Sequence, residues 1–213
     1  MENNQQYKYY AYIILSYKNW EWGKRLQREL EKFRIPASLC SQRGWKRKPI
    51  NSILVFPYTN GGIGGFHAGL KGRIEDSRHL VIVCSSNSVK SVLASKEIAY
   101  FHSIGRSKNI YLFIVDGIPD SGDSTTECFT SMAKEFGVHE TQVVNIHENI
   151  YRWPWLNRKR VYMQLISTLL GIEFDYIWQR YKRRAIQKLT VTLVVSIITA
   201  SLLLLHWLGV KGL

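Results

Sequence analysis

Short apolar runs and amphipathic stretches alternate along most of the chain. Residues 80–83 are continuously apolar, which predicts a strand covered on both faces, as strands of parallel sheets are. Apolar residues recur at helical spacing over residues 19–33, and Asn19 can cap that helix. Five such strand and helix units in sequence predict an α/β fold, with one five-stranded parallel sheet flanked by helices.

The expected elements follow from the same pattern and from its turn signals. Strands are predicted over residues 9–16, 52–56, 79–83, 109–115 and 143–146. Helices are predicted over residues 19–33, 66–78, 127–136 and 158–170, with one more after the third strand. Gly171 should end the last of these helices, and a separate amphipathic helix is predicted over residues 173–188.

The third unit, residues 79–106, combines a buried strand, a serine-rich turn and a helix with one acid, Glu97. Either Ser88 or Ser91 is placed to cap this helix. Ligands of open α/β sheets bind at the carboxyl ends of the strands, so a carboxylate early in the helix is a candidate site residue. The helix dipole is expected to keep Glu97 ionised, and a surface position should tolerate its substitution.

Cysteine usage indicates free thiols. Cys40, Cys84 and Cys128 are odd in number and widely spaced, so we expect neither a disulfide nor a zinc site, and no metal elsewhere. A catalytic Cys84 paired with His79 or His102 is an alternative that the spacing leaves open.

The glycine-rich loop over residues 60–65 raises the question of a phosphate site. A Walker loop requires Lys directly after its second glycine, whereas Leu70 follows Gly69 here. The dinucleotide fingerprint would follow the first strand, whereas this loop follows the second. The pattern favours a surface loop over a phosphate cradle.

A long uncharged segment lies near the end of the chain. Residues 189–210 would form a helix of ~33 Å, enough to cross a hydrocarbon core of ~30 Å. Five Lys or Arg residues lie within residues 180–188 and only Lys211 follows the segment, so the positive-inside rule places the preceding domain in the cytoplasm. The prediction is a single-pass protein of the inner (cell) membrane. A buried core helix is the alternative.

The chain carries a net charge of +13, which favours a polyanionic partner or an anionic membrane surface. The charge clusters at residues 43–48, 158–160 and 180–188. The largest cluster adjoins the predicted span, and the first contains a single aromatic residue, Trp45. A membrane therefore explains the charge better than a nucleic acid does, and no nucleic-acid partner is expected.

Several motifs in this order resemble the bacterial TIR domain family, in particular membrane-tethered members. The resemblance covers nearly the whole chain. The matching segments are ILSYKN (residues 14–19), LEKFRIP (30–36), SRHLVIVCSSNSVKS (77–91), KEIAYF (96–101), IVDGIP (114–119), ECF (127–129) and LLGIEFDYIWQR (169–180). It implies a flavodoxin-like TIR domain over residues 1–172, a basic juxtamembrane helix over 173–188 and a transmembrane helix over 189–210.

The resemblance also implies an activity and a site. Family members cleave the nicotinamide–ribose bond of NAD, in antiphage defence, or signal as catalytically silent scaffolds through homotypic TIR–TIR assembly. NAD would be the substrate and no cofactor is needed. The catalytic glutamate falls on Glu97, and the NAD-binding positions fall on Ser16, Tyr17, Phe56, Tyr58, Ser86 and Leu93. Leu93 stands where the family often has Trp, and Pro57-Tyr58 follow Phe56 where it has Arg-Asp.

Overall fold

The structure is a computed structural model of the whole chain, and it describes residues 7–44, 50, 52–58, 68–89, 91–136 and 142–211. The chain divides into two compact units, Met1–Gly171 and Ile172–Leu213, and each is described by itself. The glycine-rich loop over residues 60–65 and Trp45 lie outside the described residues.

Strands and helices alternate through the first unit, as the sequence pattern predicts. The strands are β1 (Tyr9–Ser16), β2 (Ile53–Tyr58), β3 (Ser77–Cys84), β4 (Ile110–Ile114) and β5 (Val143–Asn145). The helices are α1 (Trp20–Lys32), α2 (Ala37–Arg43), α3 (Ala68–Glu75), α4 (Val92–Ser103), α5 (Ser131–Glu135) and α6 (Pro154–Leu170). Short 3₁₀ turns precede α1 and β4, at Tyr17–Asn19 and Ser107–Asn109.

All five strands are parallel, in the order β2-β1-β3-β4-β5. The prediction of one five-stranded parallel sheet flanked by helices is therefore confirmed. In register, Ile14 of β1 lies opposite Phe56 of β2 and Ile82 of β3. The direction of winding reverses between β1 and β3, and a doubly wound sheet opens its ligand crevice at the carboxyl ends of the two strands where this happens.

Both faces of the sheet are covered, which explains the continuous apolar runs in its central strands. On one face, Tyr12, Ile14 and Ile82 pack in a cluster with Ile98 and Phe101 of α4. On the other face α1 approaches β1 so closely that a Cβ built on Gly23 would lie 2.9 Å from Leu15 Cδ1. Burial on both sides selects apolar residues at every position of a strand, so the period-two alternation is lost.

Element ends differ from the prediction where local capping or strand pairing decides them. Helix α2 was not predicted; it follows Pro36 and ends at Gly44, whose φ of 64° is left-handed. Helix α3 stops at Glu75, short of residue 78, because β3 begins at Ser77. Helix α5 begins at Ser131 because the Thr130 side chain accepts a hydrogen bond from the Ala133 amide at 3.3 Å and caps it there.

The second unit consists mainly of one helix of 38 residues, α7 (Phe174–Lys211). The predicted juxtamembrane and transmembrane segments both belong to it, and it contains no proline and no glycine before Gly209. The stretch Phe174–Leu203 is long and apolar enough to cross a bilayer, and its most apolar part is not buried. Hydroxyls along it donate to carbonyls one turn earlier, for example Ser196 Oγ to Thr192 O at 2.9 Å, so their polar groups are satisfied within the helix.

Candidate functional site

Glu97 lies inside the first unit rather than on its surface. It is the sixth residue of α4, and its side chain is 0% exposed. Ala94, Ile98 and Phe101 share its buried face, since residues three and four apart lie on one side of a helix. The expectation of a surface position is therefore wrong. Ser91 caps α4, accepting from the Ala94 amide at 3.1 Å, as one of the two predicted alternatives.

A tyrosine holds the carboxyl in place. The Tyr12 hydroxyl donates a hydrogen bond of 2.9 Å to Glu97 Oε1, and both side chains are fully buried. Glu97 Oε2 is also buried and has no hydrogen-bond partner among the described residues. Tyr12 lies in the middle of β1, four residues before Ser16, which puts it roughly 13 Å from the carboxyl edge of the sheet. The carboxyl thus lies below this edge and not at it.

Burial decides the ionisation of this carboxyl. Desolvation raises the pKa of Glu97 to about 8, and the hydrogen bond from Tyr12, which favours the carboxylate, lowers it by less. The expectation that the helix dipole keeps Glu97 ionised is wrong, because loss of water outweighs the dipole in the second turn of α4. At neutral pH the carboxyl in this conformation is mostly protonated. The pKa of Tyr12 is raised as well, first by burial and then by Glu97.

Phe56 and Arg73 extend this pair towards α3. The rings of Tyr12 and Phe56 have centroids 6.4 Å apart. The Arg73 guanidinium lies 5.5 Å from the centre of the Phe56 ring, and its charge lowers the pKa of Tyr12. The sequence singled out Phe56 and Glu97 but missed Tyr12 and Arg73. We call Tyr12, Phe56, Arg73 and Glu97 the Glu97 cluster.

The loops at the carboxyl ends of β1 and β3 are joined by hydrogen bonds. Asn19 Nδ2 donates to Ser85 Oγ at 2.6 Å, and both residues are buried. Ser88 Oγ accepts from the Ser85 amide at 2.7 Å and donates to the Ser85 carbonyl at 2.6 Å. Asn19 precedes α1, but its side chain does not cap that helix as predicted, because it bonds to Ser85 instead. The carboxyl ends of β1 and β3 are therefore tied together by buried polar contacts.

The predicted NAD-binding residues lie at three places. Ser16 is buried at the end of β1 and pairs in register with Tyr58, whose side chain is outside the described residues. Tyr17, next to it, is 63% exposed. Leu93 is half-buried, one helical turn before Glu97, and packs on the core. Ser86 lies towards β4. Among the predicted residues whose side chains the structure describes, Phe56 belongs to the Glu97 cluster and Leu93 lies one turn from Glu97 on α4.

Ser86 belongs to a second, open cleft at the same edge of the sheet. Its hydroxyl donates to Asp116 Oδ2 at 2.9 Å. The cleft has a volume of about 360 Å³, and its lining also includes Thr125, Thr126 and His147. His147 Nε2 lies 3.0 Å from the Val115 carbonyl. A Cβ built on Gly117, whose φ is 85°, would lie 2.7 Å from the Thr126 carbonyl, so the turn that forms this cleft requires glycine.

The alternative of a catalytic cysteine finds no support in the geometry. His79 precedes Cys84 by five residues in β3, which separates them by roughly 17 Å. Burial lowers the pKa of His79 to about 3 and raises the pKa of the Cys84 thiol, so neither is prepared for a thiolate–imidazolium pair. The His102 ring stacks on Phe136 at 3.9 Å. Within the described ranges, no three His, Cys, Asp or Glu side chains group as metal ligands would.

Comparison of the sequence with models of known protein families finds no match, and a search of curated proteins finds none either.

Proposed function

We propose that the first unit is a TIR domain that cleaves the nicotinamide–ribose bond of NAD, and that α7 anchors it in the cell membrane with this unit in the cytoplasm. Two findings support the proposal besides the motifs. The strand order β2-β1-β3-β4-β5 is the order of flavodoxin-like sheets. The residue that the family resemblance assigns to catalysis is a buried carboxyl with a perturbed pKa, which is typical of functional carboxyls.

The observation that carries the proposal is the position of the Glu97 carboxyl. One oxygen is held by Tyr12, and the other has no partner among the described residues. In the reaction the bond from ribose C1′ to the nicotinamide nitrogen breaks, and its electron pair leaves with nicotinamide. A carboxylate beside the ribose stabilises the positive charge that develops on the sugar. Water then adds to C1′ and loses a proton, so that ADP-ribose, nicotinamide and a proton are the products.

The raised pKa predicts how such an activity depends on pH. Only the ionised form of Glu97 can stabilise a cationic ribose, and in the free protein this form becomes dominant above a pKa of about 8. The positive charge of the bound nicotinamide ring would lower that pKa. Since kcat/KM reports ionisations of the free enzyme, it should rise as the pH rises through about 8.

Access to Glu97 requires a rearrangement, because the side chain is 0% exposed. We propose that contact between two TIR domains causes it, in keeping with the homotypic assembly that the resemblance implies. A membrane anchor would raise the local concentration of the domains. Specific activity should therefore increase with the number of copies per vesicle. An activity independent of this density would mean that the site is complete in one domain.

The decisive experiment uses the full chain in vesicles with NAD, and nicotinamide release is the readout. Glu97→Gln should abolish release, whereas Glu135→Gln, which changes an exposed carboxylate on α5, should not. Circular dichroism of both variants controls for folding. Release at the wild-type rate in the Glu97 variant would exclude Glu97 as the catalytic carboxyl.

A catalytically silent scaffold is the second candidate, because the fully buried Glu97 carboxyl is out of reach of a substrate in this conformation. In that case the wild-type protein would release no nicotinamide at any density, while chemical cross-linking would still detect association on the membrane. Nicotinamide release would then be absent from both the wild type and Glu97→Gln. A role in antiphage defence through depletion of NAD or through an ADP-ribose signal is proposed for the NAD-cleaving enzyme and not for the silent scaffold.

A further inference from the structure

An exposed apolar surface lies at the start of α6. Ile150, Trp153 and Trp155 are 58%, 58% and 57% exposed. Further along, α6 buries its apolar residues against the sheet, as Val161 and Leu165 show. Three large apolar side chains are therefore exposed within six residues of the chain, and concentrations of exposed apolar surface mark interaction sites. We call Ile150, Arg152, Trp153, Trp155 and Arg158 the Trp153 surface.

The surface is held in shape by a buried amide. Asn157 accepts a hydrogen bond from the Tyr151 amide at 2.7 Å and donates one to the Tyr151 carbonyl, also at 2.7 Å. Asn157 itself is buried in α6. Pro154 at the first position of the helix restricts the backbone between the two tryptophans further. The loop before α6 is thus tied to the helix by hydrogen bonds at Tyr151.

The surface is also positively charged. The Arg152 guanidinium lies 5.9 Å from the centre of the Trp153 ring. Arg152 and Arg158 are exposed, and neither forms an ion pair with any residue that the structure describes. The acids nearby are engaged by other cations: Glu29 pairs with Lys159 at 2.7 Å and Glu148 with Arg160 at 2.8 Å.

We infer that the Trp153 surface docks on an anionic membrane. Tryptophan prefers the boundary between headgroups and acyl chains, and arginine binds lipid phosphates through its planar guanidinium. A second copy of the chain fits less well, because a symmetric dimer through this face would place its unpaired arginines against each other. The inference rests on the proposed function in one respect: the α7 anchor would hold the first unit close to the bilayer.

The test measures immersion directly with the full chain in vesicles. A nitroxide spin label is attached to the cysteine of the Ile150→Cys variant. Cys40 is replaced by serine so that it does not react, whereas Cys84 and Cys128 are buried and can stay. Ile118→Cys, at an isoleucine that is 57% exposed, is the matched control. Vesicles contain phosphatidylcholine alone or with phosphatidylserine. Label 150 should become accessible to oxygen and shielded from a water-soluble nickel chelate only with phosphatidylserine, whereas label 118 should stay in water in both.

Charge variants identify the cause. The double variant Arg152→Gln/Arg158→Gln should lower the ratio of immersed to water-exposed label 150, by about fivefold for each basic residue lost. Lys32→Gln/Lys108→Gln removes the same charge from exposed positions elsewhere and should leave this ratio unchanged. Equal effects of the two pairs would mean that net charge alone acts, which contradicts a defined surface.

Flotation separates the anchor from the surface. Chains that float with both lipid mixtures while label 150 stays in water would overturn the inference and keep the anchor. Flotation with phosphatidylserine alone would support the surface and refute the anchor, and flotation with neither mixture would refute both. Spin–spin broadening at label 150 that follows protein density, and not phosphatidylserine, would assign the surface to a second copy and overturn the membrane inference.

Discussion

Glu97→Gln should gain stability relative to the wild type as the pH rises from about 5 to about 8, and it should be the more stable protein at the upper end of this range. In the folded protein the pKa of Glu97 is raised from 4.5 to about 8 by burial. Between these values the unfolded chain has released the proton and the folded chain has not. The unfolded state binds fewer protons in this range, so the free energy of unfolding of the wild type falls with pH. Glutamine does not titrate and removes this dependence.

The size of this effect follows from the pH range between the two pKa values of Glu97, 4.5 in the unfolded chain and about 8 in the folded protein. Each pH unit changes the free energy of unfolding by about 1.4 kcal/mol, so the full window corresponds to about 5 kcal/mol. For a unit of this size 1 kcal/mol shifts Tm by about 2–4 °C, so the gap between variant and wild type should widen by about 3–6 °C per pH unit. The amide nitrogen that Glu97→Gln introduces would lack a partner where Oε2 lies, which costs about 1–3 kcal/mol. That cost is the same at every pH and leaves the slope unchanged.

The assay is thermal unfolding of both proteins in one detergent, followed by near-ultraviolet circular dichroism at several pH values. Glu135→Gln serves as the control, because it makes the same change of carboxylate to amide at an exposed position on α5. A gap that stays constant for Glu97→Gln would refute the reasoning. The carboxyl would then be ionised and hydrated in solution, and the Glu97 cluster would be open in the resting protein.

Three further predictions concern the Tyr12 hydroxyl, the Asn19 amide and the membrane topology. Tyr12→Phe removes the hydrogen bond that favours the carboxylate, so the pKa of Glu97 should rise further, and any kcat/KM profile for NAD should move to higher pH; an unchanged profile would show that the hydroxyl does not act on Glu97 during turnover. Asn19→Ala leaves Ser85 Oγ without its buried donor and should lower the free energy of unfolding by about 1–3 kcal/mol. A double-mutant cycle with Ser85→Ala measures the coupling between the two side chains, and additive effects would contradict the hydrogen bond. Reporters fused at the two ends of the chain should lie on opposite sides of the membrane, the first in the cytoplasm, and a fully soluble protein would refute the anchor.

Much of the fold could be predicted because the signals are local or strongly periodic. Continuous apolar residues in β3 require cover on both faces, and a parallel sheet with helices on each side is the arrangement that supplies it. Boundaries were predicted less well because competing groups decide them. Asn19 is a good capping residue in isolation, yet its amide bonds to Ser85, 66 positions further along the chain. Such a bond exists only once β1 and β3 are neighbours.

The sequence singled out Glu97 as a candidate but did not predict its environment. The spacing of Ala94, Glu97, Ile98 and Phe101 contains the signal that Glu97 lies on the buried face of α4, and that signal could have been used. Its partner could not have been found in this way. Tyr12 lies 85 positions away, and the contact depends on strand order and on which face of β1 the ring occupies. Residue type at one position carries no information about either.

A buried carboxyl that destabilises the fold at neutral pH requires a reason, and of the two candidate functions only the catalytic one supplies it. Packing alone would be served better by an amide or an apolar side chain, since neither loses free energy to an ionised unfolded state. A scaffold therefore gains nothing from Glu97, whereas an enzyme needs a group that can become negative when a cation is bound beside it. The same substitution separates the two explanations. If Glu97→Gln raises Tm at neutral pH and abolishes nicotinamide release, stability has been exchanged for catalysis at this position. If it raises Tm while association on the membrane persists and nicotinamide release is absent in the wild type too, the carboxyl has no catalytic role and the scaffold is the function.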